Sequence, residues 1–146
     1  MELTLTVNGE RITLEARADE MLIEVLRRQL GLRSVRETCG IGVCGTCTVL
    51  LDGKAISACL LLAPLAAGRA VVTAEGLVGD PVLQAFSDAH AYQCGWCTPG
   101  FVLTVRSLLD ENASPSVEQT KEALAGNLCR CGSYVKILDA VRAVSR

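Results

Sequence analysis

The side chains in this chain that can do chemistry are mostly cysteines. Eight occur among 146 residues. Seven fall in tight spacings: Cys39-x4-Cys44-x2-Cys47, Cys94-x2-Cys97 and Cys129-x-Cys131. Cys59 follows Cys47 after eleven residues. The first four have the plant-type [2Fe–2S] ligand spacing. Gly40, Gly42 and Gly45 lie among them. A loop folded around a cluster needs positive φ at some positions and backbone N–H groups near sulfur, which tune the potential. A structural zinc site would draw on two C-x2-4-C knuckles, whereas the fourth cysteine here stands singly.

The second set, Cys94, Cys97, Cys129 and Cys131, has thirty-one residues between its pairs. Spacing alone leaves three readings open: a cluster, a zinc site, or a dithiol redox pair at Cys94-Gly95-Trp96-Cys97. The dithiol motif belongs at a helix start after a strand, and the segment before Cys94 reads as helix. His90 is the one histidine. A Rieske centre needs two histidines on one iron, and a Cys2His2 zinc site also needs two, so both are excluded. His90 itself reads as a surface or helix-end residue, Asp110-Glu111 as a solvated helix end, and Trp96 as packing. There is no GxGxxG, no phosphate loop and no nucleophile–base constellation, so no substrate-converting site is expected.

Half the residues are hydrophobic and only 3% are aromatic, which predicts an aliphatic core. Fourteen basic and sixteen acidic side chains are spread through both halves. No basic patch stands out, which argues against nucleic acid as the partner. The N-terminus enters an alternating pattern directly and reads as carrying no export signal. Charge-free stretches at 89–105 and 55–68 fall short of a membrane helix. The expected location is cytoplasmic, without membrane insertion. In that compartment, cysteines are ligands or redox groups more readily than disulfides.

The elements that must position these thiols follow from periodicity. Leu3, Leu5 and Val7 alternate with Thr4 and Thr6 as a half-buried strand. Asn8-Gly9 is a hairpin turn, and 11–14 returns. Asp19 reads as an N-cap, with Leu22, Val25, Leu26 and Leu30 at helical spacing and Gly31 as the stop. A strand at 48–51, an Asp52-Gly53 turn, a return at 54–57 and a strand at 69–73 complete an α+β arrangement of β-grasp type over residues 1–74. Residues 75–80 read as linker. From 81 to 146 the period becomes 3.6, with Asp80-Pro81, Thr98-Pro99, Ser116-x-x-Gln119 and Ser133 as four helix starts and Gly126 as the stop of the third helix. Each cysteine pair of the second set falls in a helix–helix connection. Two such hairpins facing each other would bring four sulfurs to one point, beside the N-termini of the helices that begin at Thr98 and Ser133.

At these motifs the chain resembles the small iron–sulfur subunits of the molybdenum hydroxylases, the family of xanthine dehydrogenase, aldehyde oxidoreductase and carbon monoxide dehydrogenase. The residues that carry the resemblance are Cys39-Gly-Ile-Gly-Val-Cys44-Gly-Thr-Cys47, Gln93-Cys-Gly-Trp-Cys-Thr-Pro-Gly100 and Gly126-Asn-Leu-Cys-Arg-Cys131, with Glu75-Gly76-Leu77 and Ala85-Phe86 between them. The resemblance covers nearly the whole chain. It implies an N-terminal plant-ferredoxin-like β-grasp domain, then a C-terminal four-helix bundle, with one [2Fe–2S] cluster in each. It implies a large subunit carrying a molybdopterin cofactor and a medium FAD-binding subunit or other acceptor. It also implies that Gln93 and Cys131 lie against the pterin. Trp96 stands where Phe or Tyr is usual, Gly132-Ser133 where Thr-Gly is usual, and Thr46 where Ala is common. The implied function is electron transfer from a molybdopterin centre through two clusters to FAD or another acceptor. Other classes remain open to test: a free-standing two-cluster ferredoxin shuttle and a zinc-stapled interaction module.

Overall fold

The computed structural model describes residues 1–146. The N-terminal hairpin joins β1 (Glu2–Val7) to β2 (Glu10–Glu15) in antiparallel register, Leu3 opposite Leu14 and Leu5 opposite Ile12. Asn8 at φ 50° and Gly9 at φ 86° make the turn, as an Asn-Gly pair allows. A second hairpin joins β3 (Thr48–Leu51) and β4 (Lys54–Ser57) through Asp52 and Gly53. β5 (Ala70–Val72) lies between the hairpins, parallel to β1 and antiparallel to β3. The sheet order is β2-β1-β5-β3-β4. Asp52 fastens β5 by accepting from the Ala70 N–H at 2.9 Å and from Arg69 at 2.7 Å.

The first helix differs from its sequence reading. Met21, not Asp19, occupies the N-cap position; Glu24 accepts from the Met21 N–H at 3.0 Å, while Asp19 pairs with Arg17. α1 (Leu22–Glu24) widens after one turn into a π-helical segment, Val25–Gln29. Its buried side, Leu22, Ile23, Val25 and Leu26, meets Leu3, Leu5, Val49 and Val71 in one apolar cluster.

Four further helices follow: α2 (Pro81–Asp88), α3 (Thr98–Glu111), α4 (Val117–Ala123) and α5 (Tyr134–Val144). Asp80 caps α2 through the Val82 N–H at 2.8 Å. Ser116 and Gln119 form the reciprocal capping box of α4. One start is shifted by one residue and another lacks its expected bond. Cys97 is the N-cap of α3, so Thr98 is its first residue, and Ser133 stands at the N-cap of α5 without making a capping bond. α4 ends at Ala123, ahead of Gly126. His90 is exposed at φ 49°, just past α2.

The helices enclose a second apolar cluster around Phe101, Val105, Ile137 and Val141, and Leu50 of β3 belongs to it. Val49 and Leu51 point into the first cluster. Side chains alternate across a strand, so β3 is buried on both faces and serves both cores. The segment read as linker also takes part in the packing: Ala74–Leu77 is a 3-10 turn and Leu77 is buried. No helix is long and apolar enough to cross a membrane.

Candidate metal centres

The first four cysteines lie on the loop between the π segment and β3 and at the end of β4. Gly40, Gly42 and Gly45 take φ values of 68°, 76° and 74°. These are left-handed conformations that side-chain-bearing residues rarely adopt. They turn the Ile41 N–H toward Cys39 Sγ at 3.5 Å. This N–H pulls the Cys39 thiol down to about 6, and the adjacent Cys44 thiol adds to the effect. Burial pushes the Cys47 thiol up to about 11, with Cys59 beside it. Cys44, Cys47 and Cys59 are buried, and Cys39 is half-buried.

The second set gathers two connections, as the helix order suggested. Cys94 and Cys97 lie between α2 and α3, and Cys129 and Cys131 lie between α4 and α5. The Trp96 N–H approaches Cys94 Sγ at 3.5 Å. It lowers that thiol, and neighbouring Cys131 acts in the same direction. Burial carries Cys97 up to about 12, with Cys129 at its side. Burial also raises Cys129, but the Ser133 N–H, at 3.3 Å from Cys129 Sγ, and Cys97 outweigh it, so this thiol sits below its ordinary value. Tyr134 accepts from the Cys129 N–H at 2.8 Å.

Within each set the thiols act on one another: Cys59 and Cys44 both bear on Cys47, and Cys129 and Cys94 both bear on Cys97. A [2Fe–2S] centre holds two irons with four thiolates, and the chain offers two sets of four. N–H groups aimed at sulfur suit an anionic cluster as well.

The two cysteine sets are tied together. The Leu128 N–H donates to the Cys44 carbonyl at 2.9 Å, so one peptide link and one hydrogen bond join the backbones of Cys129 and Cys44. Asn127, which is buried, donates to the Gly45 carbonyl at 3.3 Å. Arg36 donates to the carbonyls of Gly95 at 2.6 Å and Trp96 at 2.7 Å. Its guanidinium lies 4.7 Å from the Trp96 ring centroid. Trp96 Nε1 donates to Thr38 at 2.9 Å. Thr46 lies 3.0 Å from the Thr38 hydroxyl, donates to the Arg36 carbonyl at 2.9 Å, and sits 3.3 Å from Cys44 Sγ.

Trp96 is thus an exposed bridge between the two loops, not core packing. Sequence reasoning missed Arg36 and Asn127. Their partners lie about sixty and eighty positions away along the chain; Asn127 falls within the Gly126–Cys131 motif, but its spacing does not reveal the contact it makes. Gln93 is exposed, and its Nε2 donates to the Cys131 carbonyl at 3.2 Å. A groove of roughly 290 Å³ between α4 and α5 is lined by Leu124, Leu128, Tyr134, Ile137 and Leu138, with Lys121 its one charged residue. It holds no nucleophile–base pair.

Comparison with known proteins follows the same division. Residues 5–71 match the family model of the 2Fe-2S iron-sulfur cluster binding domain, and residues 73–142 match that of the [2Fe-2S] binding domain. The nicotinate dehydrogenase small FeS subunit of Eubacterium barkeri is 44% identical, with 96% of this chain and 92% of that protein covered. The crystal structure of quinoline 2-oxidoreductase from Pseudomonas putida 86 contains a chain that superposes with a TM-score of 0.93 at 40% identity, covering 97% of this chain and 90% of that one. The aldehyde oxidoreductase of Desulfovibrio desulfuricans gives a TM-score of 0.92 at 42% identity, covering 97% of this chain but 16% of that much longer one.

Proposed function

Since the chain belongs to the small iron–sulfur subunits of the molybdenum hydroxylase family, we propose that it carries electrons from a molybdopterin centre in a large partner subunit, through two [2Fe–2S] clusters, to FAD in a medium subunit or to another acceptor. The oxidoreductase assignment and the electron-transfer role come with family membership. The cofactors of the partner subunits and the residues below are our own reading. Each bound cluster would supply a one-electron couple at the thiolates that hold it.

Cys39, Cys44, Cys47 and Cys59 would hold the first cluster, and Cys94, Cys97, Cys129 and Cys131 the second. The observation that carries this assignment is that backbone N–H groups turn toward sulfur in both sets, at Cys39 in the first and at Cys94 and Cys129 in the second. The Leu128-to-Cys44 hydrogen bond and the Arg36–Trp96 bridge hold the two sets at a fixed separation, as sequential transfer requires. Gln93 and Cys131 would face the pterin. They are joined by a hydrogen bond, and Gln93 is exposed. We read residues 1–74 as a ferredoxin-like β-grasp domain, 75–80 as the linker and 81–146 as a four-helix bundle, in which α5 packs against α2 and α4, and α3 packs against the same two helices. The bundle also packs on β3.

The partner reading is supported by apolar side chains left exposed beside both cysteine sets: Ile41, Val43 and Leu60 at the first, Tyr92, Leu128 and Val135 at the second. Clustered exposure of this kind marks interaction surfaces. A cytoplasmic location fits eight unpaired thiols.

The complex purified from its natural host tests the whole reading. The expected result is co-purification with a molybdenum-containing subunit, and about four irons and four acid-labile sulfides per copy of this chain. Recovery as a lone chain with the same iron would establish the shuttle instead, and zinc with no colour would remove both. In the complex, Cys97→Ala is expected to lose the second cluster, dropping iron to about two per chain and abolishing acceptor reduction. Full turnover with a flavin-side acceptor in that variant would contradict the assignment.

A further inference from the structure

Two buried side-chain polar atoms in the chain have no hydrogen-bond partner, the hydroxyls of Thr98 and Ser133. A buried hydroxyl left unpaired is costly, so such a group calls for an acceptor. Both orphans belong to the second cysteine set, and none belongs to the first. Thr98 follows Cys97 directly, and Ser133 lies two residues after Cys131.

Ser133 is the better placed of the two. It is 5% exposed. It stands at the N-cap of α5, where serine ordinarily accepts from an N–H of the first turn. It makes no such bond, and at φ −73°, ψ 14° its backbone is outside the β-region typical of that position. The polar groups around it are already committed to Cys129. The Ser133 N–H donates to Cys129 Sγ at 3.3 Å, and Tyr134 accepts from the Cys129 N–H at 2.8 Å. The Ser133 hydroxyl lies close enough to the same sulfur to help lower that thiol, yet it completes hydrogen-bond geometry with no group of the chain.

A cluster offers sulfur acceptors only, so a hydroxyl beside it can act only as donor. Resting on the two-cluster reading above, we propose that the Ser133 O–H donates a hydrogen bond to a sulfur of the second cluster and thereby raises its reduction potential. Reduction adds one negative charge to the cluster, so a donor stabilises the reduced form more than the oxidised form. The N-terminus of α5 acts in the same direction. Ser133 is a positioning and tuning residue here, not a ligand.

The test is an EPR-monitored redox titration of the intact complex carrying Ser133→Ala. The second cluster's midpoint is expected to fall by about tenfold in its reduction equilibrium constant, about 59 mV for a one-electron couple. The first cluster's midpoint should not move, and Ser133→Thr should restore the parent value. If Ser133→Ala fails to assemble, Ser133→Gly serves, because glycine at an N-cap costs only a few tenths of a kcal/mol. An unchanged second midpoint in either variant, with full iron content, overturns the proposal while leaving the two clusters in place. A parent complex without two cluster signals overturns the two-cluster reading and this proposal together.

Discussion

Glu75 accepts from the Ser34 N–H at 2.9 Å, from the Ser34 hydroxyl, and from Thr73 at 2.7 Å. Burial pushes this carboxyl up, but the hydrogen bonds from Ser34 and Thr73 outweigh it and leave it below the ordinary glutamate range. A depressed carboxyl contributes stability that is present above its unfolded value and is lost as pH falls through its folded value. Glu75→Gln is therefore expected to lower the melting temperature near neutral pH, and the gap to the parent should close as acid protonates Glu75. Thermal unfolding of both proteins down to below the ordinary glutamate range checks this. In sequence Glu75 sits in a glycine-flanked linker. Its role was not legible because Ser34 is forty-one positions away. The cysteine ligand sets were legible, because ligand spacing is a local property of the chain.

At the scale of elements, β3 and α3 decide how near the two cysteine loops come. Leu50 of β3 points into the helical core, while Val49 and Leu51 point into the sheet core. At the start of α3, Gly100 is buried, and a Cβ built on it would collide with the Gly45 carbonyl. The main chains of the two loops can touch there only because residue 100 has no side chain. Gly100→Ala is expected to cost about 1–3 kcal/mol by overpacking. A urea midpoint followed by the visible colour of the clusters measures it. The helix starts at Asp80 and Ser116 were readable, since a cap and its N–H lie within three residues. The π segment at Val25–Gln29 was not, because its apolar spacing suits an α-helix equally well. Ser133 holds the expected N-cap position but makes no capping bond, its backbone lying outside the β-region usual there.

At the scale of the molecule, Arg36 joins the two halves by donating to two carbonyls of the second loop and stacking on Trp96. Hydrogen bonds to a charged group contribute about 1.5–3 kcal/mol and an exposed cation–π contact about 0.5–1 kcal/mol. The half-exposed setting reduces both. Arg36→Ala is expected to weaken the union of the halves by about 1–3 kcal/mol, and Arg36→Lys should recover less than half of that, because lysine lacks the planar fork. Amide hydrogen exchange at Gly95 to Cys97 reads this directly. Faster exchange there is expected, with the β1–β2 hairpin unchanged.

By itself, the sequence determined the ligand spacings, the exclusion of histidine-based centres, the change from a strand-rich first half to a helical second half, and the motifs that identify the family. All of these depend on residues a few positions apart or on composition. Tertiary structure alone decided that β3 is shared by two cores, that Leu128 hydrogen-bonds to Cys44, and that the hydroxyls of Thr98 and Ser133 end up buried without partners. Those outcomes depend on contacts between residues distant along the chain. They are set by how two apolar cores close on one strand, and periodicity within a short window carries no information about that.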